Sequence, residues 1–294
     1  KAQTSIISGF VSDSSSGESL IGANVFLRET GQGMATDING YYIIQDIVSG
    51  NYTIMVSYIG FDMFKQKTTL GDNESKKVNI NLVEQLVQLT EIEVTAEKLQ
   101  RRNNIQPSKI NLSPRMMKAA PALAEPDLFR TIQALPGVLT TSEFSTGLVI
   151  RGGNTDQNLI MLDGITVYNP SHLGGLFSNF IVDGVKEAEL IKGAYNAEYG
   201  GRLSAVLNII SREGNKNKFK GKMNLSLLSA QTTLEGPFYK GAWVLSGRRT
   251  YFDLVLPKVL PDNISENIPP YYFYDIQSHI FSDITSKDRI SFSY

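Results

Sequence analysis

The sequence predicts a mainly β protein in three blocks: a β-sandwich over 1–84, an α+β unit over 121–214, and long antiparallel strands over 215–294, with a linker at 85–120. Three observations carry this. Residues 1–84 hold about seven short apolar runs separated by Gly, Ser, Asn and Asp turns, the spacing of a sandwich. Between 148 and 211, four apolar runs each end in glycine or a polar cluster, after one amphipathic helical stretch. From Phe219 onward, apolar and polar residues alternate along segments of about ten residues.

In the first block, Ile6, Phe10 and Val11 mark a strand, Asn24 to Arg28 a second, and Tyr41 to Ile44 a third, fed by a turn at 36–40. Residues 50–58 alternate as a core strand, and the runs at 61–70 and 78–82 complete the set. Asp37 with Asn39-Gly40 could open a calcium loop, but the ligand series fails beyond it, so a plain turn is the reading. In the second block, residues 126–135 form a short helix. Pro126 suits its first turn, Asp127 its positive end, and Leu128, Phe129, Ile132 and Leu135 share one face. Pro136-Gly137 stops it. The runs at 148–150, 159–165, 185–193 and 203–210 are buried strands closed by Arg151-Gly152, Asp163-Gly164, Lys192-Gly193 and a polar end, with Tyr199-Gly200-Gly201-Arg202 before the last. In the third block, Met223, Leu225 and Leu227 alternate with Lys222, Asn224 and Ser226. The parity then flips to Leu228, Ala230, Thr232 and Leu234, which requires a turn or bulge near Ser229. Trp243, Leu245, Gly247, Arg249 and Tyr251 alternate with Val244, Ser246, Arg248 and Thr250; residues 257–270 read as a loop and 272–283 as another strand.

Composition narrows the function. With 28 Lys+Arg against 29 Asp+Glu the net charge is −1, so nothing points to nucleic acid. Cysteine is absent, which removes disulfides, thiol catalysis and Cys-based zinc sites. With only 2 histidines and no His-Glu-x-x-His, no metal site is expected. No Gly-x-Ser-x-Gly elbow occurs, Ala242 stands where the lysine of a phosphate loop would be, and Ser171-His172 adjacency is not triad geometry. A non-enzyme without cofactors is the expectation. The start Lys1-Ala2-Gln3-Thr4 leads straight into a strand, as in a processed exported chain or a cytosolic one. No apolar run reaches the ~18 residues of a spanning helix, so any membrane placement is as a β-barrel.

Two resemblances follow from these motifs. The series Arg151-Gly152, Asp163-Gly164, Lys192-Gly193, Tyr199-Gly200 and Leu203 to Ile210, with Leu135-Pro136-Gly137-Val138 before it, resembles the plug domain of TonB-dependent outer-membrane receptors. Residues 1–84 resemble the carboxypeptidase-regulatory-like, transthyretin-like module. The match rests on Gly17-Glu18, Leu20 to Val25, Thr36-Asp37, Gly40-Tyr41-Tyr42, Gly50 to Thr53 and Tyr58 to Phe61, and the module is not a peptidase. The resemblance implies that 215–294 is the start of a transmembrane β-barrel. About five strands are present against the ~8 a small barrel needs and the ~22 of a plugged transporter, so a longer protein is expected.

The same resemblance implies sites and partners. Glu91, Ile92, Glu93, Val94, Thr95 and Ala96 look like a TonB box, an extended segment that adds as a strand to the TonB energy-coupling protein; one more strand of the sandwich, or a linker, is the other reading. Arg151, Gly152, Asp163, Gly164, Gly193, Gly200, Gly201 and Arg202 are the plug-motif turns. At the single-residue level they read equally as ordinary turn residues. Tyr168, Asn169, His172 and Phe177 lie on a loop that faces a ligand or packs inside the barrel. The implied function is energy-coupled import of an extracellular nutrient through a plugged barrel in outer-membrane lipid. The ligand (small molecule, glycan or peptide) is open. A surface lipoprotein partner accompanies some importers with such a sandwich, although Tyr195 to Arg202 is closer to general receptors. The alternative is a secreted or surface β-sandwich protein for binding or adhesion, without energy coupling.

Overall fold

A computed structural model describes residues 4–85, 109–120, 125–142, 145–172, 175–259, 271–285 and 288–294. The chain divides into two units, Lys1–Ile105 and Gln106–Tyr294.

The first unit is two sheets face to face. In one, β1 (Thr4–Asp13) pairs with β4 (Tyr41–Val48) on one side and with β7 (Ser75–Lys77) and β8 (Ile80–Leu82) on the other. In the other, the order is β3 (Gly33–Ala35), β2 (Asn24–Leu27), β5 (Gly50–Ser57), β6 (Phe64–Leu70). Strand alternation sends Ile7, Val11, Val25, Leu27, Ile54 and Val56 into a common core. Gly9 faces the carbonyl of Val78 so closely that a Cβ would stand 1.8 Å from its oxygen, and the Tyr42 hydroxyl donates to that same carbonyl at 2.8 Å. Burial pushes the Tyr42 hydroxyl pKa up. Asp37 Oδ1 accepts the N–H groups of Asn39 and Tyr41, both at 2.8 Å, and so closes the turn expected there. Sequence reading expected about seven strands. The eight observed include Gly33–Ala35, a three-residue strand inside what reads as a glycine turn.

The second unit is built on a mixed sheet of order β13 (Ile165–Thr166), β12 (Leu159–Leu162), β17 (Val206–Ser211), β16 (Val185–Ile191), β9 (Lys109–Leu112), in which β12 and β17 are the parallel pair. Here the structure differs from the sequence reading. This mixed sheet takes in Lys109–Leu112, inside the stretch 85–120 expected as linker, because these residues pair antiparallel along Ala188–Ile191. The helix α1 (Pro114–Ala119) follows, started by Pro114 and capped by the Ser113 hydroxyl. A second helix, α2 (Leu128–Gln133), is two residues shorter at each end than the expected 126–135. Asp127 sits outside it as N-cap, accepting from Phe129 N at 2.8 Å and Arg130 N at 3.1 Å. Leu128, Phe129 and Ile132 bury against Leu148, Ile150, Ala188, Leu190 and Leu207. A hairpin of β10 (Val138–Thr140) and β11 (Leu148–Ile150) leads into Arg151-Gly152, and β14 (Ser171–His172) pairs with β15 (Phe177–Ser178).

The chain then runs into an antiparallel meander, β18 (Lys220–Leu225), β19 (Ser229–Phe238), β20 (Gly241–Thr250), β21 (Tyr274–Asp283) and β22 (Arg289–Ser293), in that spatial order. The parity flip falls at residues 226–228, where Ser226 N–H donates to Ser229 O. A helix, α3 (Phe252–Val259), follows β20 and its last three residues fall within the stretch 257–270 read as loop; its Phe252 buries against Phe177 and Phe273.

The faces of this sheet are inverted relative to a water-soluble protein. Ser229, Gln231, Thr233, Glu235, Ser246, Arg248, Thr250 and Gln277 are buried. On the other face Met223, Leu225, Ile276, Ile290 and Phe292 are each more than 60% exposed. Polar-in and apolar-out is the pattern of barrel strands that meet lipid. Among the described residues β18 and β22 each have a neighbour on one side only.

Candidate functional site

The inner face of the meander is occupied by the mixed-sheet domain. Gly184, just before β16, lies flat on the strands: a Cβ there would stand 3.0 Å from Ser246 Oγ and 3.2 Å from Gln277 Oε1. Gly214 comes closer still, with φ +86 and a would-be Cβ 2.3 Å from Trp243 O. Between these approaches run polar bonds. Gln277 Nε2 donates to Ser211 Oγ at 3.1 Å, and Arg212 pairs with Glu235 at 2.6 Å. Glu213 takes Arg289 at 3.1 Å. Buried Asp183 accepts from Lys222 at 2.8 Å and from Asn224 and Lys118. Burial alone would raise its pKa, but the hydrogen bonds and charges of Lys118 and Lys222 outweigh it and hold the carboxyl below its usual range.

The densest cluster surrounds Arg248 on β20. Its side chain is 1% exposed and holds Glu125 and Ser178 O of the inner domain together with Asp275 on β21. Glu125 also accepts from Ser229 and, at 2.6 Å, from Gln231. His172 Nε2 lies 2.6 Å from Asp275 Oδ1, and its ring stacks on Phe273 at 4.0 Å.

The residues singled out by sequence fall into three groups. Residues Glu91, Ile92, Glu93, Val94, Thr95 and Ala96 lie outside the described residues. The motif turns are turns: Asp163 (φ 50) with Gly164 (φ 81) forms the left-handed pair that the tight β12–β13 hairpin requires, and Arg151 (φ 50) with Gly152 (φ 79) adopts the same pair in the turn after β11. Asp163 does more, since its Oδ1 accepts from Ser211 N at 2.8 Å and so pins the hairpin to β17. Gly193 keeps room for the Arg151 guanidinium, whose Nη1 is 2.9 Å from where its Cβ would be. The third group is the loop. Tyr168 is 83% exposed and Asn169 is exposed, whereas His172 is half-buried against Asp275 and Phe177 is buried among Phe252 and Phe273.

The structure brings several of these side chains to one rim. Ser204 Oγ donates to Ile150 O at 2.8 Å, which ties the Gly200-Gly201-Arg202 turn to the Arg151 turn. Tyr195 donates to Arg202 O at 2.6 Å, and the Arg202 guanidinium stands 6.0 Å from the Tyr168 ring centre. Arg151, Arg202 and Tyr168 thus share one end of the sheet domain, Arg151 and Tyr168 exposed and Arg202 half-buried. Sequence reasoning missed Glu125, Asp183, Arg248 and Asp275. The available signal was a guanidinium on the polar face of an alternating strand, where serine and threonine stand beside it.

A mixed-sheet domain seated on the polar face of strands whose other face is apolar among the described residues is the arrangement of a plug on the first strands of a β-barrel. Comparisons with known proteins point the same way. The chain matches the CarboxypepD_reg-like domain over residues 7–94 and the TonB-dependent Receptor Plug Domain over residues 112–206. TonB-dependent receptor P26 of Formosa agariphila is 29% identical over 224 residues, which is 71% of this chain and 21% of that protein. Among solved structures, a ferric enterobactin receptor variant of Pseudomonas aeruginosa aligns at 20% identity and TM-score 0.46, covering 66% of this chain and 33% of its own. The siderophore receptor PirA of the same species aligns at 21% and 0.45, covering 64% and 34%. The chain carries a match to the TonB-dependent receptor plug domain behind a match to the CarboxypepD_reg-like domain, and is similar to TonB-dependent receptors. It spans about a fifth of the length of the curated relative it matches.

Proposed function

We propose that this protein is an outer-membrane importer whose plug occludes a β-barrel and moves when a ligand has bound outside and the TonB energy-coupling protein pulls from the periplasm. The observation that carries this reading is the inverted sheet. Its polar residues are spent on the plug, and its apolar residues have no protein partner among the described residues and are suited to lipid. Residues 91–96, the last four residues of the CarboxypepD_reg-like match and the two that follow it, are the segment proposed to pair with the energy-coupling partner by strand addition. Arg151, Arg202 and Tyr168 are proposed to meet the ligand. A guanidinium beside a phenol, with a second guanidinium at the same end of the sheet, suits an anionic or polyhydroxylated solute.

The test is uptake by cells that depend on the full-length receptor, supplied in turn with ferric chelates, oligosaccharides and peptides as sole source of iron or carbon. Deleting residues 91–96 is expected to abolish energised growth on the solute that supports the wild type while leaving its binding to isolated membranes intact. Equal growth of both strains on every solute, or a protein found secreted rather than in the membrane, would leave a surface binding or adhesion protein instead.

A further inference from the structure

Among the contacts between plug and barrel strands, one cluster differs in kind. Arg212–Glu235, which joins the plug to β19 inside the meander, leaves its cation 24% exposed. Arg248 is 1% exposed and Glu125 4%. Exposed pairs are screened and cheap to break, whereas a buried guanidinium that loses a partner without water to replace it is not. The cluster is also divided across the seam. Its barrel half sits on three adjacent strands, with Ser229 and Gln231 on β19, Arg248 on β20 and Asp275 on β21. Arg248 and Asp275 are cross-strand partners in register, with Nε donating to Oδ2 at 2.7 Å, so this half stays assembled without the plug. The plug half comes from three separate places: Glu125 ahead of α2, the Ser178 carbonyl of β15, and His172 of β14. Ser178 N–H in turn donates at 2.8 Å to Asp127 Oδ2, the side chain that caps α2. One guanidinium therefore fastens both the helix start and the β14–β15 hairpin to the wall.

We infer that Arg248 is the latch that keeps the plug seated, and that separation of Glu125, Ser178 and His172 from the preassembled Arg248–Asp275 pair is the step that lets the plug leave β19–β21. This rests on the plug being a displaceable occluder, as proposed above. The geometry supplies the reset, because the barrel half keeps its ion pair while the plug is away and offers the same donors when it returns.

Residues 1–294 contain no cysteine, so in a full-length receptor whose other residues are made cysteine-free a single Ser246→Cys reports seating. Ser246 is 0% exposed beneath Gly184, and a thiol there meets a membrane-impermeant maleimide only when the plug moves. Labelling is measured on the full-length receptor in isolated outer membranes, and heat-modifiable migration on gels verifies a folded barrel. Glu125→Gln and Arg248→Lys, which preserve size, are expected to speed labelling at least tenfold. Arg212→Ala, which removes the more exposed pair to Glu235, is expected to stay within twofold of the parent. The two latch changes combined should label no faster than the quicker single change, because they cut one interaction. Parent-rate labelling in both latch variants with a folded barrel, or an equal rise in Arg212→Ala, overturns the latch. Loss of ligand uptake plays no part in this readout, so a latch that behaves as described in a protein that imports nothing would refute the transport reading alone.

Discussion

Glu187 gives the sharpest stability prediction. It is 7% exposed on β16, and among the described residues no hydrogen bond or ion pair holds its carboxylate. Strand alternation puts it on the face opposite Ala188 and Leu190, and the bulge between Val185 and Glu187 lets Val185 join those two in the main core. Burial raises its pKa from an ordinary 4.5 to about 7; nearby Lys186 and Lys109 pull it down and Glu189 pushes it further up. At ~1.4 kcal/mol per tenfold, the ionised carboxylate costs the fold roughly 3 kcal/mol at pH 8, an upper bound. The folded plug holds this proton more tightly than the unfolded chain does. The stabilisation is therefore fully present below about pH 4.5 and is lost as pH rises through about 7. Glu187→Gln keeps the shape and removes the charge. It is expected to match the wild type near pH 5 and to exceed it by ~1–3 kcal/mol at pH 8. The assay is hydrogen-exchange protection of β16 and β17 amides in the full-length receptor, corrected for intrinsic rates across this pH range. Parallel wild-type and variant curves, or a variant less stable at pH 8, would refute the reasoning.

Three further outcomes follow from the same contacts. Asp127→Ala removes the cap of α2 and the acceptor of Ser178 N–H, and should cost the plug about 1–3 kcal/mol in urea unfolding, more than the ~1 kcal/mol of an ordinary cap. Gly214→Ala forces a Cβ onto Trp243 O at a backbone angle that L residues avoid; it should lower plug protection by ~1–3 kcal/mol, whereas Gly152→Ala, with open space around it, should show only the smaller backbone penalty. Ile276→Lys places a charge on the apolar face of β21 and should reduce membrane insertion by roughly 2–4 kcal/mol if it lies near mid-bilayer, while Gln277→Lys, one residue away on the buried face, should insert normally and loosen the plug instead.

What the sequence made legible was periodic. Two-residue alternation in residues 219–251 named the strands and located the reversal that the structure puts at residues 226–228, because the inward and outward faces differ so strongly in polarity. The four apolar runs of the plug appear as β11, β12, β16 and β17, each with the expected Gly-containing turn beside it, since only certain residues tolerate the left-handed angles seen at 151–152 and 163–164. Short or non-local features were not legible. Lys109–Leu112 is four residues between prolines and becomes a strand only because the edge of β16 is open to it. The strands β14 and β15 are two residues each and exist through packing. The Arg248–Glu125 pair joins residues 123 positions apart, and neither carries a local mark of the other. His172 and Phe177 read as loop residues because no pattern within the loop foretells that Asp275 and Phe273 will cover them.

The central claim is that residues 220–294 form part of a membrane barrel wall with the plug on its polar side. Single cysteines at Leu225, Ile276 and Phe292 on one face, and at Gln231, Thr233 and Gln277 on the other, test it in the full-length receptor in native outer membranes. Each is probed with a lipid-partitioning and a water-borne thiol reagent. The account predicts that the first three react from lipid and not from water, and that the second three react with neither until the plug is displaced. Water-borne labelling of Ile276 and Phe292 in the native membrane would contradict it.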